Sequence, residues 1–137
     1  MAEMWNTMMI SAMGMKVQGE RTRIIAENIA NADTAALTPE GKPYTRKLIT
    51  FKNEMDKAYD TDLVRVKDVT DDKKTPYSYK YMPDHPGANA GGYVKMPNVS
   101  TVVEFSDMRE AQRSYEANLG MMEQSRNMSQ RTVDMLR

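Results

Sequence analysis

Cysteine is absent from the sequence, which excludes disulfides, thiolate metal sites and a thiol nucleophile and leaves the redox compartment open. Histidine occurs once, as His85 between Asp84 and Pro86. Catalysis or metal binding there needs convergent partners, and no second histidine or nucleophile signature accompanies it. A solvated loop histidine is expected. No apolar run reaches the roughly 18 residues of a membrane span. The first residues lack the basic and apolar regions of a cleavable secretory signal, since Glu3 and Asn6 interrupt them. A cytosolic chain would fit, and so would one exported by a route that reads no cleavable signal. Net charge is zero, and about −1, +2 and −1 fall on residues 1–37, 38–97 and 98–137. No block is basic enough to track a phosphate backbone, so nucleic acid is not an expected partner. Gly91-Gly92 lacks the strand, helix and lysine of a phosphate loop. Catalytic, cofactor-binding and metal residues are therefore expected to be none, and a small-molecule substrate likewise.

Large apolar residues are scarce too, with two Phe and one Trp in 137 residues. Methionine and alanine carry much of the apolar share. Six of the fourteen Met lie in the first fifteen residues and five follow Val103, whereas all six Pro and six of the seven Tyr fall between Pro39 and Pro97. This step in composition divides the chain into a discontinuous helical domain, 1–36 with 99–137, and a β-rich, loop-rich middle, 37–98. The Met cluster is better suited to adaptable packing than to a soft metal ion.

Residues 4–31 carry apolar groups at helical spacing, and the three-four line 4, 8, 11, 15, 18, 22, 25, 29 is apolar at five positions of eight. Ser11, Gln18 and Thr22 interrupt that line, and Gly14 and Gly19 weaken it by about 1 kcal/mol each. Such a helix needs a partner to order it. Asn28 and Asn31 share a face beside the ridge of Ile25 and Ile29. Asn31 to Thr34 then supplies a stop.

The middle predicts three or so short strands, over Tyr44 to Phe51, Leu63 to Val69 and Tyr77 to Tyr81, with Asp56 to Asp62 and Asp68 to Lys74 as polar connectors. Asp71-Asp72-Lys73-Lys74 reads as a solvated tip, and the alternating Tyr77, Tyr79 and Tyr81 as a packing stripe on one face. Met82 to Gly92 is rich in turn formers, and Tyr93 to Pro97 is extended. A second helix starts near Ser100 or Thr101, with Glu104 at the capping-box distance from Thr101. Its line Phe105, Met108, Gln112, Tyr115, Leu119, Met122, Arg126, Ser129, Val133, Leu136 is apolar at seven positions of ten. At roughly 35 residues, or about 50 Å, it outruns what a small domain covers and needs the N-terminal arm or another molecule against it. Asn28, Asn31, Arg113 and Asn118 are then candidates to pair across the arms or between subunits and to fix register.

Gly14-Met15, Gln18, Arg21 and Ile25-Ala26-Glu27-Asn28-Ile29-Ala30-Asn31-Ala32-Asp33-Thr34, followed by Gly92-Tyr93-Val94-Lys95-Met96-Pro97-Asn98-Val99 and Ala111-Gln112-Arg113-Ser114-Tyr115-Glu116-Ala117-Asn118, resemble the flagellar basal-body rod and hook family. The Asn-Ile-Ala-Asn motif is shared widely in that family, while residues 92–99 and the short middle resemble its proximal-rod members. The resemblance implies an α+β, mainly α fold whose long terminal helices pair as an antiparallel coiled coil with the middle outside. It also implies a structural, non-enzymatic subunit, exported through the flagellar type III apparatus and assembled helically in the basal-body rod within the periplasm. Implied partners are copies of itself, other rod proteins and the ring and export base. Assembly contacts are expected at Asn28, Ile29, Asn31, Gly92, Tyr93, Pro97, Asn98, Val99, Arg113, Tyr115, Asn118 and Leu119. Two readings compete: a soluble adaptor using the same helices as a hairpin, and a periplasmic wall hydrolase, for which paired carboxylates or a metal cleft are lacking.

Overall fold

The computed structural model describes residues 2–58 and 60–136; the outermost residues of the expected helical domain, 1 and 137, lie outside them. The fold is α+β, with two long helices and small sheets between them. Helix α1 spans Ala2–Ala30 and α2 spans Thr101–Met135, and between them lie strands β1 (Lys47–Asp56), β2 (Thr61–Asp71), β3 (Ser78–Tyr81) and β4 (Tyr93–Met96). Two compact units result: Met1–Thr22, Ile49–Asp68 and Arg109–Arg137 in the first, Arg23–Leu48 and Val69–Met108 in the second. No helix among the described residues is long and apolar enough to cross a membrane.

Helix α1 ends where the asparagines begin. Asn31 N–H donates to the Glu27 carbonyl at 3.1 Å, and the Asn31 side chain donates to the same oxygen at 2.9 Å, so one residue engages both lone pairs of a carbonyl in the last turn. Helix α2 starts at Ser100, whose carbonyl accepts the Glu104 N–H at 3.0 Å. The expected capping box is not what occupies the Glu104 side chain. Its two oxygens are taken by Asn28 and Arg46, because a buried carboxyl gains more from a guanidinium than from a solvated cap.

The middle forms two two-stranded sheets, β1-β2 and β3-β4. Strands β1 and β2 are longer than the alternating runs suggest and absorb half of the two expected polar connectors, leaving a short link after Asp56. Asp60 takes φ 48° in that link, a conformation that Asp tolerates. The β3-β4 pair is antiparallel, with Tyr79 opposite Lys95 and Tyr81 opposite Tyr93. Its inner face buries Val94 and Met96, and its outer face exposes Tyr79, Tyr81 and Tyr93. The Tyr81 and Tyr93 rings meet edge to face at 5.3 Å. Tyr77 precedes the strand rather than belonging to it, with Lys95 Nζ 4.4 Å above its ring.

The turn-rich segment between these strands is ordered by its own backbone. Met82 N–H donates to the Gly92 carbonyl at 2.9 Å, and Asn89 Oδ1 accepts from Gly91 and Tyr93 at 2.9 and 3.0 Å. His85 is half-buried rather than fully solvated, and its Nδ1 accepts the Gly87 N–H at 3.0 Å. Gly87 has a strict reason to be glycine: a Cβ there would lie 2.1 Å from the Ala36 carbonyl oxygen.

Candidate functional site

Two of the three most buried side chains of the second unit are polar, Val94 being the third. Asn28 and Glu104 are each 1 % exposed, and their neighbours form a closed clamp. Asn28 Nδ2 donates to the Lys47 carbonyl at 2.9 Å and to Glu104 Oε2 at 3.1 Å. Asn28 Oδ1 accepts from Tyr44 Oη at 2.8 Å and from Lys47 N–H at 2.9 Å. Every hydrogen-bonding capacity of this amide is used. Lys47 Nζ also bonds Glu27 on the same helix.

Arg46 is the hub. Its Nε donates to Glu104 Oε1 at 2.5 Å, and its terminal nitrogens lie 3.6 Å from Asp72 and 3.5 Å from Asp107. Its backbone N–H donates to Asn98 Oδ1 at 2.7 Å, while its carbonyl accepts the Asp72 N–H at 2.7 Å. Asn98 in turn donates to the carbonyls of Asp72 and Thr75 at 2.9 and 3.1 Å. Asp72 is therefore not part of a solvated tip: it is 5 % exposed, while Asp71, Lys73 and Lys74 around it face water. Its carboxylate accepts from the Lys74 and Thr75 amides and from the Thr75 hydroxyl.

The electrostatics follow from this geometry. Burial alone would lower the Arg46 pKa, but the Glu104 hydrogen bond and the charges of Glu104, Asp107 and Asp72 outweigh it and raise it. The Thr75 hydroxyl, with the Thr75 and Lys74 amides and Arg46, holds the Asp72 carboxyl below the usual range against the opposing effect of burial. The Tyr44 phenol is pushed up to about 12, first by burial and then by the charges of Glu27, Glu104 and Asp71.

In the first unit the seam of α1 and α2 is lined by small and polar groups. Helix α2 buries Ala111 and Ser125 and half-buries Asn118, Ser129 and Thr132, a line at heptad-like spacing that begins one residue before the apolar one. The expected apolar line is split: Met108, Met122 and Ser129 are half-buried, whereas Tyr115 is 42 % exposed, Leu119 40 %, Val133 54 % and Leu136 84 %. The reason is close approach. A Cβ on Gly14 would lie 2.8 Å from Asn118 Nδ2, so the seam has no room for a larger group at that level. Ser129 Oγ contacts Met4 Sδ, and Arg21 pairs with Glu110 at 3.1 Å.

The candidate assembly residues thus occupy different environments. Asn28, Pro97 and Asn98 are buried, and Ile29, Asn31, Gly92, Val99 and Asn118 are half-buried. Tyr93, Arg113, Tyr115 and Leu119 are exposed. Gly92 holds φ +79°, a left-handed conformation in which a Cβ would also meet the Tyr81 ring at 2.8 Å. Only Asn28 and Asn98 are drawn into the clamp. Sequence reasoning missed Arg46, Asp72 and Glu104 as members of it.

Comparison with known proteins agrees on one family. Residues 90–135 match the profile described as "Flagellar basal body rod FlgEFG protein C-terminal". A protein of Agrobacterium fabrum named "Flagellar basal-body rod protein FlgC" is 43 % identical over 93 % of this chain and 91 % of its own. Proteins of the same name from Salmonella typhimurium and Aquifex aeolicus are 35 % and 33 % identical, covering 90 % and 98 % of this chain and 91 % and 98 % of theirs. The chain belongs to the flagellar basal-body rod protein FlgC family, a structural component of the bacterial flagellum located in the rod of the basal body.

Proposed function

We propose that the chain is passed unfolded through the flagellar type III export apparatus and assembles helically in the proximal rod within the periplasm. Its neighbours are copies of itself, other axial proteins and the ring and export base. The terminal arms, 1–36 and 99–137, form an antiparallel coiled coil that makes the axial contacts, and 37–98 lies outside it. The contacts Met4 to Ser129, Gly14 to Asn118 and Arg21 to Glu110 support this pairing, because each step forward on α1 meets a step back on α2. No catalytic step is assigned to any residue.

The observation that carries the reading is the pair of outward apolar patches on α2. Tyr115 with Leu119 and Val133 with Leu136 are exposed at helical spacing, two apolar patches separated by Arg126 and Ser129, and each is suited to a neighbouring helix. Charged Arg113, exposed on the same helix, supplies register. The test is Leu119→Glu, following the chain in culture supernatants and in purified basal bodies. Export should persist, whereas incorporation into rods and swimming should be lost. Normal incorporation of this variant would remove that patch from the assembly interface.

A further inference from the structure

The β3-β4 sheet has two strands only, and its ladder fixes which backbone groups each edge presents. Met82 N–H donates to the Gly92 carbonyl at 2.9 Å, one step beyond the opposed Tyr81 and Tyr93. Hydrogen-bonded and non-hydrogen-bonded pairs alternate in an antiparallel ladder. Lys80 with Val94 and Ser78 with Met96 are therefore the bonded pairs, and Tyr79 and Tyr81 turn their N–H and C=O groups away from β4. Tyr93 shows the same parity from the other strand: its carbonyl accepts the Asn89 N–H at 2.9 Å and its N–H donates to Asn89 Oδ1 at 3.0 Å. Asn89 thus blocks the β4 edge at Tyr93. Nothing does so for β3, where the outward groups of Tyr79 and Tyr81 meet no partner among the described residues. Both tyrosines are 63 % exposed, and Lys80 between them is exposed as well. Outside the clamp, residues 71–96 carry Lys73, Lys74, Lys80 and Lys95 against Asp71 and Asp84.

We propose that β3 is a docking edge to which an extended, acidic segment of another protein adds as a third strand. Main-chain hydrogen bonds to Tyr79 and Tyr81 supply the affinity, and alternate side chains supply the selectivity. In the added strand, the residues beside Tyr79 and Tyr81 share the tyrosine face, where aromatic or β-branched side chains pair well with the rings. The residue between them lies beside Lys80, where a carboxylate is favoured. A second copy of β3 is a poor occupant, because an antiparallel pairing centred on Lys80 sets like charges opposite each other. The edge is formed by Ser78–Tyr81 alone and is separate from the patches of α2 on which the proposed assembly rests.

The test is a titration of the isotope-labelled full-length chain with the peptide acetyl-Glu-Val-Glu-Val-Glu-amide, followed residue by residue by amide NMR and hydrogen exchange. The Tyr79 and Tyr81 amides should shift and become protected, while exchange of the Lys80 amide, already in the ladder, stays as it was. The basic peptide acetyl-Lys-Val-Lys-Val-Lys-amide should bind about tenfold more weakly, and Lys80→Glu should reverse that preference. The acidic peptide N-methylated throughout its backbone should leave Tyr79 and Tyr81 unprotected, because it has lost the donors of a third strand. Equal binding of the acidic and basic peptides would overturn the docking edge, as would binding undiminished by N-methylation or no protection of Tyr79 and Tyr81 by any peptide. Protection of these two amides that rises with the concentration of the chain alone would overturn it too, by assigning β3 to a second copy.

Discussion

Asn28 and Gln18 are amides on the same helix, and they meet opposite fates. Asn28 has both donors and both lone-pair directions engaged inside the second unit, whereas Gln18 Oε1 in the first unit is buried with no partner among the described residues. An unmade buried hydrogen bond costs about 1–3 kcal/mol, comparable with what a satisfied one contributes or larger. The second unit has completed its polar interior within one chain. The first keeps a buried amide oxygen that finds no partner among the described residues, while both units leave large apolar side chains facing water. The difference between them therefore lies in polar satisfaction, not in apolar exposure.

The largest effect should come from breaking the clamp at its hub. Arg46→Ala leaves Glu104 buried without its guanidinium, and removing one partner of a buried pair costs about 3–5 kcal/mol. The midpoint of urea unfolding of the free chain, followed by tyrosine fluorescence, should drop accordingly. An unchanged midpoint would mean that the second unit is held by Val94, Met96 and the isoleucines alone, and the contrast between the units would collapse.

A pH titration should sharpen the same contrast. Asp72 is depressed in the folded state, so its contribution is fully present above the unfolded value of about 3.9 and is lost as pH falls through the lower folded value. Tyr44 runs the other way. Its pKa is raised to about 12, so its contribution is present below the unfolded value of about 10 and is lost as pH climbs toward 12. The second unit should therefore weaken at both extremes. Asp72→Asn should flatten the acid limb and Tyr44→Phe the alkaline limb, both read as unfolding midpoints against pH.

Both helices were legible in the sequence because their signals are local. The spacing of Ile25 and Ile29, the stop at Asn31 to Thr34 and the start at Ser100 each depend on residues within a turn or two. The clamp was not legible, for the opposite reason. Arg46 reads as one more polar position in an alternating run, and its partners Asp72, Asn98 and Glu104 lie far along the chain. Asp72 has three charged residues around it and looks solvated by composition. A clue was available in Glu104, a charged residue one step before the apolar line of α2. Capping offered a cheaper explanation, and nothing local could decide between the two. The face of α2 was misjudged by one residue because apolar periodicity reports which residues avoid water in the finished assembly. Gly14 opposite Asn118 decides which face closes inside this chain.

The smallest expected effect is also the one that asks most directly why the first unit is unfinished. Gln18→Leu replaces a buried oxygen that has no partner among the described residues by a shorter, purely apolar side chain, which should stabilise the free first unit by up to about 1 kcal/mol. Hydrogen-exchange protection of 2–22 should rise modestly while that of 23–48 stays fixed. If Gln18 finds its hydrogen bond on a neighbouring subunit, the same variant should join rods less well despite its steadier arm. A gain in the monomer with unimpaired assembly would instead make the orphaned amide a plain defect of the seam. The two outcomes separate a helix left incomplete for a neighbour from one that is merely poorly packed.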